Sequence, residues 1–190
     1  TDLIAGGGSE IGAAKAVAFA EAGYRVAISG RRANVLEDVA ASTKHEILCH
    51  AADVADRESV NSLFAWAAET LGAIDVFVNS AGINIPNRSM EALSPEDWDM
   101  VIQVNATGAY NCMYAALASM RERKDEVIIN ICSVAGLRTS PLGGVVYNAS
   151  KFAMDALGRS VGEEEREHGI RVTTIYPGEV ETPILDKRPA

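Results

Sequence analysis

Tyr147 and Lys151 are the residues of this sequence whose types and spacing best suit proton transfer. Two residues four positions apart lie on the same face of a helix. A free tyrosine has a pKa of about 10, and a neighbouring ammonium group favours the phenolate and lowers that pKa. The pair could therefore exchange a proton near neutral pH. A tyrosine and a lysine at this spacing can also be plain surface neighbours, so the interpretation depends on the other motifs.

A second candidate feature is the glycine-rich stretch GGGSEIG at residues 6–12. A glycine turn between a strand and a helix lets backbone N–H groups approach a pyrophosphate, and the helix N-terminus favours negative charge. The turn could equally hold no ligand, and its spacing is not GxGxxG. Glu10 adds a carboxylate that suits the helix dipole but is unfavourable beside a pyrophosphate, unless it turns to solvent.

Arg31 and Arg32 follow the second predicted strand, at the point where a dinucleotide-binding fold selects its cofactor. An acidic residue there would bind the ribose hydroxyls of NAD, but no acidic residue stands at this position. Guanidinium groups suit a 2′-phosphate. We therefore expect NADP, with NAD as the alternative. The other interpretation of the two arginines is a solvated basic turn.

The elements that must position these residues alternate along the chain. Predicted strands cover residues 3–5, 25–29, 46–51, 74–79, 126–132 and 171–176. Predicted helices cover residues 11–22, 33–41, 57–71, 104–123 and 147–168, and another begins at Pro95 with Ser94 as its N-cap. This alternation predicts a parallel sheet covered on both faces. We expect a doubly wound Rossmann fold of three α/β/α layers, with ligands at the carboxyl ends of the strands.

Composition indicates a single globular domain over residues 1–190, with 48% hydrophobic and 23% charged residues. The net charge of -9 argues against a general nucleic-acid binder. No apolar run is long enough for a bilayer, and residues 1–8 do not resemble a signal peptide. Three cysteines without a CxxC pair favour a reducing cytoplasm. The histidine spacing predicts no metal site.

Taken together, the motifs resemble the short-chain dehydrogenase/reductase family, in its single-domain branch. They occur in the family's order and span nearly the whole chain. The matching segments are GGGSEIG at 6–12, Asp53-Val54 after the third strand, NSAG at 79–82, Asn105, Ser133 after the fifth strand, YNASK at 147–151 and PGEVET at 177–182. The sequence departs from the family pattern at Ala5, where threonine is usual, at Glu10, where glycine is usual, and at Ser80, where asparagine is usual.

The resemblance implies a catalytic tetrad of Asn105, Ser133, Tyr147 and Lys151. Ser133 would hold the substrate oxygen, and Asn105 would help hold a water that links Lys151 to solvent. Each of Ser133 and Asn105, taken alone, has an ordinary structural interpretation. With the two arginines included, the residues expected to bind the cofactor are Gly6, Gly8, Ser9, Ile11, Gly12, Arg31, Arg32, Asp53, Val54, Asn79, Ala81, Gly82, Tyr147, Lys151, Pro177, Gly178, Val180 and Thr182.

We therefore predict an oxidoreductase that transfers a hydride between NADP(H) and a small or medium neutral alcohol or ketone. The predicted substrate wall is mostly apolar or small, and comprises Ile83, Asn84, Val134, Ala135, Pro141, Leu142, Gly143 and Glu179. The alternative is a catalytically silent NADP(H)-binding sensor or scaffold, which Glu10 favours and the intact tetrad disfavours.

The resemblance also bears on assembly and on the ends of the chain. It implies a homodimer or homotetramer, with contacts formed by helices 104–123 and 147–168. The family usually continues after its PGxVxT stretch with a substrate lid, a helix and a strand. The sequence ends at Ala190, so we expect the lid and the last strand to be absent from it. We also expect native residues before Thr1.

Overall fold

A computed structural model of the chain describes residues 1–8 and 10–180. Six parallel strands form one sheet with the order β3-β2-β1-β4-β5-β6. The strands are β1 (Asp2–Ala5), β2 (Val26–Gly30), β3 (Ile47–Ala51), β4 (Val76–Asn79), β5 (Val127–Ile131) and β6 (Arg171–Ile175). The helices are α1 (Glu10–Glu21), α2 (Ala33–Ala41), α3 (Arg57–Leu71), α4 (Pro95–Ile102), α5 (Gly108–Met120) and α6 (Val145–Glu164). The doubly wound fold predicted from the sequence is confirmed.

The central strands are mostly apolar because helices cover both faces of the sheet. Leu3 and Ile4 are consecutive in β1, so their side chains point to opposite faces, and both are fully buried. Leu3 packs in a cluster with residues of α3 and α5, and partly buried residues of α6 join that cluster. Ile4 packs in the other cluster, with residues of α1 and α2. Three layers result, as the alternating pattern indicated.

The order of the strands reverses at β1, which pairs with β2 on one side and β4 on the other. A crevice opens at the carboxyl ends of the strands where such a reversal occurs. The glycine-rich loop follows β1 and residues 80–82 follow β4, so both segments lie at this crevice. Among the described residues, no helix is long and apolar enough to cross a membrane.

Local signals account for several helix boundaries. Ser94 caps α4, since its hydroxyl accepts a hydrogen bond from the Asp97 N–H at 3.1 Å, and Pro95 is the first helical residue. Gly23 follows α1 with a φ of 89°, a conformation that favours glycine. The start of α4 confirms the prediction made from the sequence.

The helix predicted at 104–123 differs from the structure. Residues 95–120 are helical without interruption, because a π-helical turn (Gln103–Thr107) joins α4 to α5. Within this turn the N–H of Gly108 donates to the carbonyl of Gln103. The wider turn carries Asn105, and hydrophobic periodicity does not reveal it. The helix predicted at 147–168 begins earlier, at Val145, and its last four residues form a 3₁₀ turn (Glu165–His168).

Candidate active site

Tyr147 and Lys151 lie on successive turns of α6, on the face that meets the carboxyl ends of the strands. Lys151 is only 4% exposed, and its Nζ lies 5.6 Å from the centroid of the Tyr147 ring. The same nitrogen donates to the carbonyl oxygen of Ile131, the last residue of β5, at 3.2 Å. The interpretation of the two residues as surface neighbours is therefore wrong.

Burial changes the proton affinity of both groups. It lowers the pKa of Lys151, since a charged ammonium is disfavoured away from water. It also raises the pKa of Tyr147, and hydrogen bonding to Ser133 partly reverses that rise. The sequence predicted a lowered tyrosine pKa beside an ammonium. In the structure, desolvation of the phenolate is the largest influence, and it acts in the opposite direction.

Ser133 is positioned by the end of β5. It is the second residue after the strand, and its hydroxyl accepts a hydrogen bond from the Ala135 N–H at 3.1 Å. This contact caps the 3₁₀ turn (Val134–Gly136) and directs the side chain towards Tyr147. The hydroxyl keeps its own proton for donation, so it can hold an oxygen atom of a bound molecule beside the tyrosine.

Asn105 is fully buried and joins two parts of the site. Its Oδ1 accepts from the N–H of Ile83 at 2.8 Å, and its Nδ2 donates to the Ile83 carbonyl at 2.9 Å. Nδ2 also donates to Ser150 Oγ at 3.0 Å, and that hydroxyl donates to the Tyr147 carbonyl at 2.8 Å. One acceptor position of Oδ1 remains for a water molecule. Ser150 lies within the YNASK motif at 147–151, but the sequence analysis assigned it no role in the site.

The glycine-rich loop needs glycine where other backbone segments approach closely. Gly6 has a φ of 82°, and a Cβ there would lie 2.5 Å from the backbone nitrogen of Ala81. A Cβ on Gly12 would lie 2.1 Å from the Gly6 carbonyl oxygen. At Gly82, a Cβ would stand 3.5 Å from Lys151 Nζ. The glycine-rich loop thus packs against the segment after β4, and that segment approaches Lys151 at Gly82.

Glu10 is the residue that departs from this arrangement. Its φ of 56° is left-handed, a conformation that costs an ordinary residue about 1–2 kcal/mol. The side chain lines the same cavity as Tyr147, and its negative charge contributes to the raised pKa of that tyrosine. The carboxylate therefore acts on the cavity rather than only on the outer surface of the protein.

These groups surround a cavity of about 450 Å³ at the carboxyl edge of the sheet. Predicted site residues that line it are Gly6, Ile11, Ala81, Gly82, Ser133, Tyr147, Lys151, Pro177, Gly178 and Val180. Of the predicted substrate wall, Asn84, Val134, Ala135, Leu142, Gly143 and Glu179 line it too. The sequence analysis missed Arg88, Arg138 and Ser140, which also line the cavity. All three stand on loops, where a sequence does not show which way a side chain points.

Other predicted cofactor residues lie outside this cavity. Asn79 is buried, and its Nδ2 bonds to the Ala109 carbonyl at 3.2 Å and to Asn130 Oδ1 at 3.3 Å, which supports the sheet. Val54 packs in the core, and Asp53 accepts from the Ala55 N–H at 3.0 Å.

The remaining predicted residues are placed as follows. Arg31 and Arg32 are exposed beyond β2. Gly8 lines a second cavity, between α1 and α2. Ser9 and Thr182 lie outside the described residues. Within residues 1–8 and 10–180, no group of three or more His, Cys, Asp or Glu side chains could hold a metal ion.

Comparisons with known proteins identify the family of this chain. The family model described as short chain dehydrogenase matches residues 1–190. An uncharacterized oxidoreductase of Listeria innocua is 35% identical over 97% of this chain and 75% of that protein. One of Staphylococcus aureus is 32% identical over 96% of this chain and 78% of that protein. The crystal structure of levodione reductase has a TM-score of 0.92 and 31% identity, covering 97% of this chain and 73% of that one.

Proposed function

This chain belongs to the short-chain dehydrogenase family of oxidoreductases, and from that premise we propose that it interconverts an alcohol and a carbonyl compound with NADP(H). The observation that carries the proposal is the convergence of Ser133, Tyr147 and Lys151 on one cavity at the carboxyl edge of the sheet. The similarity to a reductase of known structure supports the same class of reaction. The sequence analysis favours a small or medium substrate.

The residues around the cavity fit a nicotinamide dinucleotide, apart from Glu10. Gly6 and Gly12 pack so closely that the loop backbone itself forms the wall, as a pyrophosphate site requires. Ala81 and Gly82 would flank the adenosine side, and Pro177 to Val180 the nicotinamide. The reduced nicotinamide, when bound, supplies the hydride.

The protein would supply the proton and hold the reacting oxygen. Tyr147 would donate its phenolic proton to the oxygen of a carbonyl substrate, and Ser133 would hydrogen-bond the same oxygen. Lys151, held against β5 by the Ile131 carbonyl, would restore the tyrosine proton. Asn105 would position a water molecule that connects the lysine with solvent. In the direction of alcohol oxidation the same residues act in reverse.

NADP rather than NAD is proposed from Arg31 and Arg32. Both are exposed next to the end of β2, so they could pair with a 2′-phosphate without any change in the core. Calorimetric titration should give tighter binding of NADPH than of NADH, and Arg31→Gln with Arg32→Gln should remove the difference. Equal affinities in the unchanged protein would overturn the preference for NADP, and binding of neither dinucleotide would overturn the cofactor assignment.

The alternative, a silent NADP(H)-binding sensor or scaffold, draws its support from the strained Glu10. A panel of carbonyl compounds and alcohols assayed with NADPH and NADP separates the two functions. Turnover that disappears in Tyr147→Phe supports the enzyme. Tight binding of NADPH with no turnover of any compound would support the sensor instead.

A homodimer or homotetramer is proposed from exposed aromatic side chains on α5 and α6. Tyr114 is 68% exposed and Phe152 is 40% exposed, and aromatic side chains are enriched at protein interfaces. Sedimentation of the chain and of Tyr114→Glu with Phe152→Glu tests this. A monomer in the unchanged protein would overturn the proposal.

A further inference from the structure

Asn111 is a buried polar side chain on α5 that the proposed reaction does not use. Only 4% of it is exposed, and it is not among the residues that line the cavity around Tyr147. We propose that Asn111 is a positioning residue for the cofactor, which holds the turn after β3 (residues 53–56) in the shape that receives the adenosine end of the dinucleotide. This inference rests on the proposed function, since it takes the nicotinamide end to lie at Tyr147.

The order of the strands places the 53–56 turn at the adenosine end. Tyr147 and Lys151 lie near the end of β5, on one side of β1, whereas β2 and β3 lie on the other side. A dinucleotide that crosses the crevice at β1 with its nicotinamide at Tyr147 therefore extends its adenosine end over the carboxyl ends of β2 and β3. Arg31 and Arg32 follow β2, and the turn follows β3.

Hydrogen bonds from two helices hold the backbone of the 53–56 turn. Within the turn, the Ala55 N–H donates to Asp53 Oδ1 at 3.0 Å. The N–H of Asp53 donates to Ser59 Oγ at 3.0 Å, which joins the turn to α3. The carbonyl of Val54 is bound from α5 instead, since it accepts from Asn111 Nδ2 at 3.0 Å. The turn is therefore fixed between α3 and α5.

Both ends of the Asn111 amide take part in this arrangement. Its Oδ1 accepts from Arg57 Nε at 3.3 Å while its Nδ2 donates to the Val54 carbonyl. An amide offers both an acceptor and a donor, whereas a carboxylate or an alkyl side chain cannot make both contacts. A second amide, Gln103 Nε2, donates to the Ala55 carbonyl at 2.9 Å. Two consecutive carbonyls of the turn are thus bound from one continuous helical stretch.

The side chain of Val54 is fitted to α5 as well. A Cβ on Gly108 would lie 2.7 Å from Val54 Cγ2, so the helix carries a glycine where the valine packs. Val54 is only 7% exposed and belongs to the core cluster that includes residues of α3 and α5. Backbone and side chain of one turn residue are therefore both fixed by α5. A turn fixed in this way loses little freedom when a ligand binds, which favours affinity.

The plain structural alternative is that Asn111 only stabilises the core. In that case its loss lowers the free energy of unfolding, but the folded protein binds adenosine compounds with unchanged Kd. A positioning role has a different signature. Binding of the adenosine end weakens and KM for NADPH rises, while kcat at saturating NADPH stays the same, because Tyr147 and Lys151 are held by other contacts.

The test titrates the full chain by calorimetry with 2′,5′-ADP and with ADP, which carry the adenosine ends of NADP and NAD. Asn111→Leu should raise Kd for both compounds about 3- to 10-fold, the scale of one hydrogen bond. KM for NADPH should rise by a similar factor, with kcat changed less than about twofold. Asn61→Leu, an exposed asparagine on α3, is the matched control and should change neither quantity. Asn105→Ala should lower kcat and leave Kd for both adenosine compounds unchanged.

Gly108→Ala moves Val54 while it keeps the hydrogen bonds of Asn111, and it should weaken adenosine binding as well. This variant decides the question if Asn111→Leu does not fold. Unchanged Kd values in the folded variant, or a fall in kcat as large as the rise in KM, would overturn the inference. If no compound is reduced, the proposed oxidoreductase function fails, yet the Kd values still decide the role of Asn111. Binding of neither adenosine compound by the unchanged protein would overturn that role by itself.

Discussion

Lys151 Nζ lies 5.6 Å from the centroid of the Tyr147 ring while it donates to the carbonyl of Ile131. The lysine is thus fixed between a strand and the tyrosine, rather than free to turn outwards. Lys151 is almost fully buried, so its Nζ acts on the groups that surround it inside the protein, such as the Tyr147 ring. The spacing of four residues on α6 places Lys151 beside Tyr147. The hydrogen bond to Ile131, at the end of β5, holds the lysine side chain in that position.

The first prediction concerns the phenolic hydroxyl. Tyr147→Phe should keep the ring in place and lower kcat for carbonyl reduction about 10²- to 10⁴-fold, the usual contribution of general acid catalysis. NADPH affinity should change little, as measured by calorimetry. Tyr114→Phe, on the exposed face of α5, is the matched control. Full activity in Tyr147→Phe would rule out the proposed proton donor.

The second prediction concerns pH. Burial raises the pKa of Tyr147, and hydrogen bonding to Ser133 lowers it. Alcohol oxidation needs the phenolate, so its rate should rise with pH and level off above the tyrosine pKa. Ser133→Ala removes the lowering influence, which moves the midpoint of this profile to higher pH. It should also reduce kcat about 10²- to 10³-fold. A midpoint that stays in place or moves to lower pH would contradict this account.

Several helices of the fold were predictable because local sequence patterns specify them. The bounds of α2 and α3 agree with the predicted ranges, since each helix has a clear apolar face. The junction of α4 and α5 was not predictable. Asn105 sits in a π-helical turn, and the contacts of its amide come from Ile83 and Ser150, which are distant in sequence.

The residues of the candidate site were likewise predictable only in part. Ser133 was predicted because it follows a strand, and Tyr147 and Lys151 because of their helical spacing within an ordered set of motifs; the structure brings the three to one cavity. Arg88 was missed, since its direction is set by Gly144 and Leu142 in another loop. The raised pKa of Tyr147 was also unpredicted, because desolvation depends on packing that spacing alone does not reveal.

The third prediction tests the role of Asn105. Asn105→Ala breaks the three hydrogen bonds of a fully buried amide and leaves the Ile83 backbone groups without these partners. The free energy of unfolding in urea should fall by about 1–3 kcal/mol, and kcat should fall as well. Gln103→Ala removes one exposed contact of the same turn and should cost less on both measures. Equal losses in the two variants would contradict the assigned role.

The fourth prediction separates the charge of Glu10 from its backbone conformation. Glu10→Gln keeps the left-handed φ of 56° but removes the charge, and should tighten NADPH binding roughly fivefold, as for about 1 kcal/mol of repulsion in water. The gain should shrink at high salt. Glu10→Gly should tighten binding similarly and also raise the melting temperature without ligand, because glycine adopts this φ at low cost. Weaker NADPH binding by Glu10→Gln would show that the carboxylate assists the cofactor.

The last prediction concerns Asp2, which is fully buried in β1. Burial raises its pKa from 3.8 to about 7, so the folded protein keeps a proton that the unfolded chain releases. Stability from this group is complete below about pH 4 and is lost as the pH rises through about 7.

Asp2→Asn removes this titration and should raise the free energy of unfolding at pH 8, relative to the unchanged protein, by up to about 4 kcal/mol. At pH 4 the difference should be small. Urea unfolding at both pH values measures it, with the exposed Asp99→Asn as control. A difference that is the same at pH 4 and pH 8 would mean that Asp2 is charged in the folded protein, with its burial offset by neighbours such as Lys15.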